Sequence, residues 1–324
     1  MTLPRIAVVG VGYMGRLHAE KLAALAEEGV LVFAGVSDVD VARAGEIAAK
    51  HGVPVLETLE HVARAADAAC VAAPTLEHAR VAGWLLDAGL DVLVEKPIAT
   101  TRADARDLIA RAQSHRRILQ VGHIERFSRA FREIRPALSR PRFIEAHRIG
   151  PYPARATDVS VVLDLMIHDL DIVAELAGHE VERVEAVGVS VLSRTEDIAN
   201  ARLRLANGCI VNLTASRVSL ERMRKMRLFQ SDAYVSIDLG ENKITIVRRQ
   251  GAPGGAEPPR ITAEKLEFDA ADALLAQDRA FAECVRTRAE PEVSGEDGYR
   301  ALDLALRIQE AIEPIEVGPD GTPL

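Results

Sequence analysis

The sequence predicts an α/β protein in two parts: a doubly wound parallel sheet of the Rossmann type, then an α+β domain with an open, mostly antiparallel sheet. Three observations predict it. Short apolar runs alternate with helical patterns over residues 1–122, as strands do when crossover helices cover both faces of a sheet. Gly10-Val11-Gly12-Tyr13-Met14-Gly15 stands between the first run and the first helical pattern. From 181 to 247 strand patterns follow one another with little helix between them, which implies antiparallel neighbours.

The candidate strands of the first part are 5–9, 30–37, 53–55, 68–73, 91–95 and 118–121. Helical patterns fill 15–28, 41–51, 59–65, 77–88 and 102–114. Thr58 and Thr101 stand where N-caps belong, and Gly52 and Gly89 where C-caps belong. The second part opens on a strand at 142–149 and one long helix over 159–176. Strands follow at 181–192, 198–206, 209–216, 224–230, 233–238 and 243–247, with Asn207-Gly208 as a hairpin signal. Residues 251–259 read as a loop, and two helices near 269–287 and 296–313 close the chain. The expected division is 1–122 for a dinucleotide domain and 123–324 for a substrate and oligomerisation domain. The last helix is a candidate to pack back on the first.

Composition limits what such a chain can do. Its 324 residues suffice for about two domains. With 48% hydrophobic and 27% charged residues it is not disordered, collagenous or a coiled coil. A net charge of −8 argues against wholesale binding to nucleic acid or an anionic membrane. No apolar run approaches the roughly 18 residues of a transmembrane helix. Cys70, Cys209 and Cys284 are too scattered for a disulfide framework or a paired metal site, which fits a reducing, cytoplasmic setting. Among 40 basic residues only six are lysines, so each lysine invites inspection.

The glycine fingerprint has a direct physical reading. Gly10 permits a tight turn, Gly12 lets backbone approach a pyrophosphate, and Gly15 allows close helix–strand packing. The helix N-terminus offers free N–H groups to the phosphates. Asp38 ends the next strand, 23 residues after Gly15. It suits a ribose 2′-hydroxyl and repels a 2′-phosphate, and no arginine follows it directly, so NAD is favoured over NADP. The plain alternative for Asp38 is an N-cap for the helix starting near Val41.

Two features carry chemistry. Glu95-Lys96-Pro97 stands at the carboxyl end of a strand, where open α/β sheets bind ligands. Lys96 offers a compact point charge in an arginine-rich chain, and a cis Pro97 would aim it at the cofactor. The alternative is a surface-loop lysine. Along the helix over 159–176, Ser160, Asp164, His168, Asp171 and Glu175 make one polar stripe on an otherwise apolar surface. Buried charge is costly unless paired or used, so the stripe should face a cleft. Asp164 and His168 are i,i+4 neighbours; a carboxylate beside an imidazole makes a general base. The pair could also be structural. No third ligand stands at metal spacing, so no metal is expected.

With Ala73-Pro74-Thr75-x-x-His78 and Val293-Ser294-Gly295-Glu296-Asp297-Gly298, these motifs resemble the glucose–fructose oxidoreductase/inositol dehydrogenase (Gfo/Idh/MocA) family over nearly the whole chain. The resemblance implies NAD-dependent oxidation or reduction of a sugar-like alcohol. It matches Lys96, Asp164 and His168 to the catalytic trio. It sets Pro74, Thr75, His78, Glu95 and Lys96 beside Gly10, Gly12, Tyr13, Met14, Gly15 and Asp38 on the cofactor side. A finer resemblance, to the UDP-N-acetylglucosamine 3-dehydrogenases, rests on residues 121–127, 161–172 and 215–219. Those enzymes often have Phe-Asn-Pro-Ala where this chain has Phe127-Ser128-Arg129-Ala130. By position, His123 and Arg126, just after the sixth strand, are expected to border the substrate cleft, a packed histidine being the alternative for His123. Arg148 and Arg155 flank the loop leading into the helix over 159–176, Asp171 can hydrogen-bond the substrate or His168, and Arg217 is a further substrate candidate.

Arg217, Arg222, Arg224, Lys225 and Arg227 could grip a pyrophosphate, Arg217 foremost. Alternatively, strand alternation leaves half of them on a solvated face. His18, His51 and His61 read as exposed helix residues or helix ends, and Trp84 as packing. A dimer or tetramer is expected. An inositol or free-sugar dehydrogenase is the alternative; a non-catalytic NAD-binding regulator is remote, since such proteins typically lose the lysine or histidine.

Overall fold

The computed structural model describes residues 2–152, 159–250, 260–269 and 271–313. The loop expected at 251–259 and the candidate ligand Arg155 lie outside the described residues. The contacts divide the chain into two compact units.

The first unit is Met1–Phe127 with Asp272–Leu302. Its strands β1 (Arg5–Val9), β2 (Val32–Ser37), β3 (Ala68–Val71), β4 (Asp91–Glu95) and β5 (Leu119–Gly122) form a parallel sheet in the order β2-β1-β3-β4-β5. Every residue of β3, β4 and β5 is buried, as central parallel strands covered on both faces are. Helices α1 (Tyr13–Glu27), α2 (Val41–His51), α3 (Leu59–Ala65), α4 (His78–Asp87) and α5 (Arg102–Ser114) supply the connections. Thr58 and Thr101 cap α3 and α5 through their hydroxyls, and Gly52 ends α2 in the left-handed region. The strand order reverses between β1 and β3, and ligands bind beyond the carboxyl ends of strands at such a switch point.

The strand expected at 53–55 is a single bridge, Val36 to Val55. Pro54 has no N–H to give a ladder, and only its carbonyl is used, by Val36 N. Helix α8 (Ala273–Thr287) and the start of α9 (Gly295–Ala311) group with this unit, whereas a division at 122/123 assigns them to the second. The cause is apolar. Phe281, Ala282, Cys284 and Val285 join the core cluster that holds Ile6, Val8, Leu22 and Leu25. At Gly298 a Cβ would stand 2.5 Å from Val121 Cγ2, so only glycine lets α9 approach β5.

The second unit is Ser128–Ala271 with Asp303–Leu324. It contains α6 (Arg129–Ile134), β6 (Phe143–Ile149), a π turn (Val162–Met166) that runs into α7 (Ile167–Ala177), and β7 (Val181–Val189) to β13. The remaining strands are β8 (Ile198–Leu205), β9 (Ile210–Ser216), β10 (Met223–Phe229), β11 (Ala233–Asp238), β12 (Lys243–Gln250) and β13 (Arg260–Glu267). They make one sheet in the order β13-β12-β11-β10-β6-β9-β8-β7. All neighbours are antiparallel except β6 and β9. Strand β13 has no counterpart in the sequence reading. It is a polar, mostly exposed edge, charged as edge strands must be to avoid further pairing.

Two arginines expected at the substrate are structural. Arg217 is 1% exposed. Its Nε donates to Asp197 at 2.8 Å, Nη1 to Val159 O at 2.9 Å, and Nη2 to the hydroxyls of Ser193 and Thr195. Arg148 is 4% exposed and reaches both oxygens of Asp169, at 3.0 and 2.9 Å. A buried guanidinium group needs a paired charge and further hydrogen bonds to offset its desolvation, and both arginines have the carboxylate. Arg222, Arg224 and Arg227 are exposed, and Arg227 pairs with Glu145, so the solvated-face alternative holds for that strand. Burial works against the Asp197 charge, yet the Ser193 hydroxyl, the Leu192 and Ser193 N–H groups and Arg217 hold its pKa well below the carboxylate range.

Arg217→Met should therefore cost about 3–5 kcal/mol, the scale for breaking a buried pair, read as a lower urea midpoint. Asp197 is depressed in the folded state, so the deficit should be full above about pH 4 and shrink as pH falls. An unchanged midpoint with a raised sugar KM would return Arg217 to the substrate.

Candidate active site

The turn after β1 performs the three jobs its glycines suggest. Gly10 has φ +85°, and a Cβ there would stand 2.7 Å from Ala73 N. A Cβ on Gly15 would stand 1.7 Å from Gly10 O, so α1 cannot approach the turn with any larger residue. A Cβ on Gly12 would meet nothing within 4 Å, which is the open side a diphosphate needs. Gly12 begins α1 without a side-chain cap, leaving the first N–H groups for an anion. Tyr13 is exposed and Met14 half-buried beside it. A 480 Å³ cavity lies alongside, lined by Val11, Gly12, Tyr13, Arg16, Asp40 and Arg43 among others. These residues fit the adenosine diphosphate half of NAD.

Asp38 is not the N-cap of α2; Asp40 is, accepting from Arg43 N. Asp38 instead accepts from Val11 N at 2.7 Å and Asp40 N at 2.8 Å, which fixes its carboxylate beside the fingerprint. Arg43 comes within 3.8 Å of Asp38 but is held by Asp40 at 2.8 Å. An arginine absent from the adjacent sequence thus arrives one helical turn later, already neutralised.

The next loop and the Lys96 turn are tied together. Pro74 is exposed, and Thr75 starts a short 3₁₀ turn. His78 is 1% exposed and is not offered to a cofactor: Nδ1 lies 2.8 Å from Pro97 O and Nε2 2.9 Å from Ala73 O. Burial pushes its pKa down while the two carbonyls oppose this. The expected cofactor contact is therefore a clamp between two loops. The Lys96–Pro97 peptide is cis. Lys96 is half-buried where Glu95 and Pro97 on either side are buried.

His18, expected on an exposed helix face, is fully buried. Nδ1 lies 2.9 and 3.0 Å from the two oxygens of Asp278, and Nε2 lies 3.0 Å from Glu95 Oε1. The sequence signal was available only in part: α1 carries His18 on the same face as Leu22 and Leu25, but its partner stands 260 residues away. His51 is half-buried at the end of α2, 6.3 Å from the Phe33 ring. His61 is exposed as expected. His123 and Arg126 follow β5 and are buried, and Arg126 faces Asp297 at 3.7 Å. Asp297 also holds Ser294 at the start of α9, which makes Arg126 an anchor for the returning helix.

In the second unit the polar stripe divides. Ser160 accepts from Gln309 at 2.9 Å, Glu175 pairs with Arg135, and Asp171 is fully buried. Asp164 and His168 are half-buried amid buried Leu163, Met166 and Ile167. Asp164 lies within the π turn, a widened stretch of the long helix expected over 159–176, which runs unbroken over 161–177. Single π turns recur at functional sites because the wider turn re-aims side chains.

Comparison with known proteins agrees with this geometry. Residues 4–123 match the oxidoreductase family with an NAD-binding Rossmann fold, and residues 132–236 match the GFO/IDH/MocA C-terminal domain. The chain is 36% identical over 310 residues to a UDP-N-acetylglucosamine 3-dehydrogenase of Acidithiobacillus ferrooxidans, spanning 95% of this chain and 97% of that one. A solved structure of that enzyme covers 96% of this chain and 98% of its own at a TM-score of 0.88 and 35% identity. A myo-inositol 2-dehydrogenase of Thermotoga maritima is 29% identical over 330 residues, spanning 95% of this chain and 96% of that one. Among the described residues no helix is long and apolar enough to cross a membrane. With an NAD-binding first domain and the matching C-terminal domain, the chain belongs to the GFO/IDH/MocA family of oxidoreductases.

Proposed function

We propose that the enzyme oxidises a secondary alcohol of a nucleotide sugar, the 3-hydroxyl of UDP-N-acetylglucosamine or a close relative, with NAD. The observation that carries this reading is 36% identity across 95% of the chain to an enzyme named for that reaction, in a chain that has Lys96, Asp164 and His168. NAD supplies the hydride acceptor. His168 takes the hydroxyl proton as general base. Asp164, one turn earlier, orients the imidazole and stabilises its protonated form. Lys96 stabilises the developing alkoxide as a preorganised positive charge. Asp171, three residues after His168, and His123, which follows β5, are assigned to the substrate side. A second reading, oxidation of a cyclitol, rests on the myo-inositol 2-dehydrogenase relative.

A cytoplasmic homo-oligomer, dimer or tetramer, completes the proposal. Three buried free cysteines support a reducing compartment. Exposed Val187, Val189, Phe229 and Ile261 on the second sheet support association.

Three outcomes follow. Incubation with NAD⁺ and UDP-N-acetylglucosamine should give a 3-keto sugar nucleotide and NADH; turnover of myo-inositol with none on any UDP-sugar would move the enzyme to the cyclitol branch. Lys96→Ala and His168→Ala should each lower kcat by roughly 10²–10⁴ while NADH still binds; near-normal turnover in either removes that role. NADH should bind at least about tenfold more tightly than NADPH, because Asp38 opposes a 2′-phosphate; equal dissociation constants in a fluorescence titration would contradict this.

A further inference from the structure

His18 stands between two carboxylates with one ring nitrogen on each. A neutral imidazole has one N–H, so it would leave a lone pair facing an ionised oxygen about 3 Å away. An imidazolium donates to both. The arrangement is fully buried: His18 and Asp278 are 0% exposed and Glu95 is 7% exposed. Three elements meet there, α1 through His18, α8 through Asp278 and β4 through Glu95. Cys70 of β3 completes the wall. Its thiol is pushed up to about 11, chiefly by burial, and stays protonated.

Glu95 is the residue before Lys96. Its carboxyl is confined further by Gly122 of β5, where a Cβ would stand 2.7 Å from Oε1. On the other side of Lys96, His78 holds Pro97 O at 2.8 Å. The lysine thus projects from a turn gripped at both flanks by buried imidazoles. One of them is anchored by a carboxylate from a helix some 180 residues away, at Asp278.

We propose that His18 and Asp278 are positioning residues, acting through an Asp278–His18–Glu95 bridge that fixes the position and charge surroundings of Lys96. The bridge rests on the role given to Lys96 in the proposed reaction. The charged and titratable groups around it are Asp278 and, beyond it, Asp272 from the α8 side, Cys70 from β3, and His78 and Lys96 beside Glu95. Burial opposes the His18 charge, but the two carboxylates hold its pKa well above the usual histidine range. Burial also disfavours a charged Glu95, and the His18 cation outweighs this and keeps it ionised. Without that cation, burial is opposed only by Lys96 and His78, and the Glu95 pKa should rise toward the protonated form. Lys96 would then lose its neighbouring counter-charge.

The test compares the wild-type holoenzyme with His18→Gln, Asp278→Asn and the double variant His18→Gln/Glu95→Gln, with Lys96→Ala as reference. His18→Gln and Asp278→Asn should each lower kcat by roughly 10- to 100-fold, the scale for losing a group that orients a reacting one, with the sugar KM and NADH binding nearly unchanged. The kcat–pH profile of His18→Gln should gain an ionisation, activity falling as pH drops, and the double variant should lack it. A merely structural role would lower the thermal midpoint yet leave kcat per folded enzyme and the pH profile as in wild type, and that would overturn the proposal. In the unmutated enzyme, ¹⁵N-histidine NMR at pH 8 should show one doubly protonated ring, absent in His18→Gln. A neutral His18 overturns the proposal whatever the substrate. So would stoichiometric bound metal removed by chelator with loss of activity, since His18, Cys70 and Asp278 could then be its ligands. Full turnover in Lys96→Ala would instead sink the assigned role of Lys96, leaving the His18 spectrum to decide the bridge.

Discussion

A charge taken out of water must be matched where it is buried, and His18 makes this requirement concrete. An imidazolium at 0% exposure needs carboxylates within hydrogen-bond reach, and this one has two, from Glu95 and Asp278. Meeting that need brings α8 back to a sheet whose strands ended about 150 residues earlier in the chain. The apolar face of α8, with Phe281 and Val285 in the common core, makes the return favourable. The polar bridge makes it specific, because another register of α8 would strand Asp278 without a partner. The segment that carries Lys96 is thereby tied through Glu95 and His18 to α1 and α8.

The second unit shows a different economy. Its buried charges include two ion pairs, Arg217 with Asp197 and Arg148 with Asp169. Asp164 and His168 are only half-buried, on a helix whose neighbouring side chains are buried. Burial therefore distinguishes these residues: the paired arginines are closed off from solvent, whereas Asp164 and His168 keep part of their surface exposed. The π turn under Asp164 departs from regular α-helical backbone at one of these half-buried residues.

Much of this was legible in the sequence. The glycine fingerprint, the strand ends and the lysine turn are local features whose physics is complete within a few residues. Gly10 and Gly15 accordingly stand as read, and the Lys96–Pro97 bond, which the sequence left open, is cis. The long-range features were not legible. His18 sits on a helical pattern that looks amphipathic and exposed until Asp278 is brought beside it. Arg217 and Arg148 look like anion ligands because sequence displays their charge and hides their partners. Residues 53–55 look like a strand because the apolar pattern is present; Pro54 limits it to one bridge. Residues 260–267 carry no strand signal in the sequence because edge strands are polar by necessity.

The central claim is that hydride leaves the sugar C3 for NAD while a base in this chain takes the hydroxyl proton. Incubating the enzyme with UDP-N-acetylglucosamine deuterated at C3 and with unlabelled NAD⁺, followed by mass analysis of the reduced cofactor, tests it most directly. One deuterium in each NADH formed is the expected result. Unlabelled NADH from that substrate would contradict it.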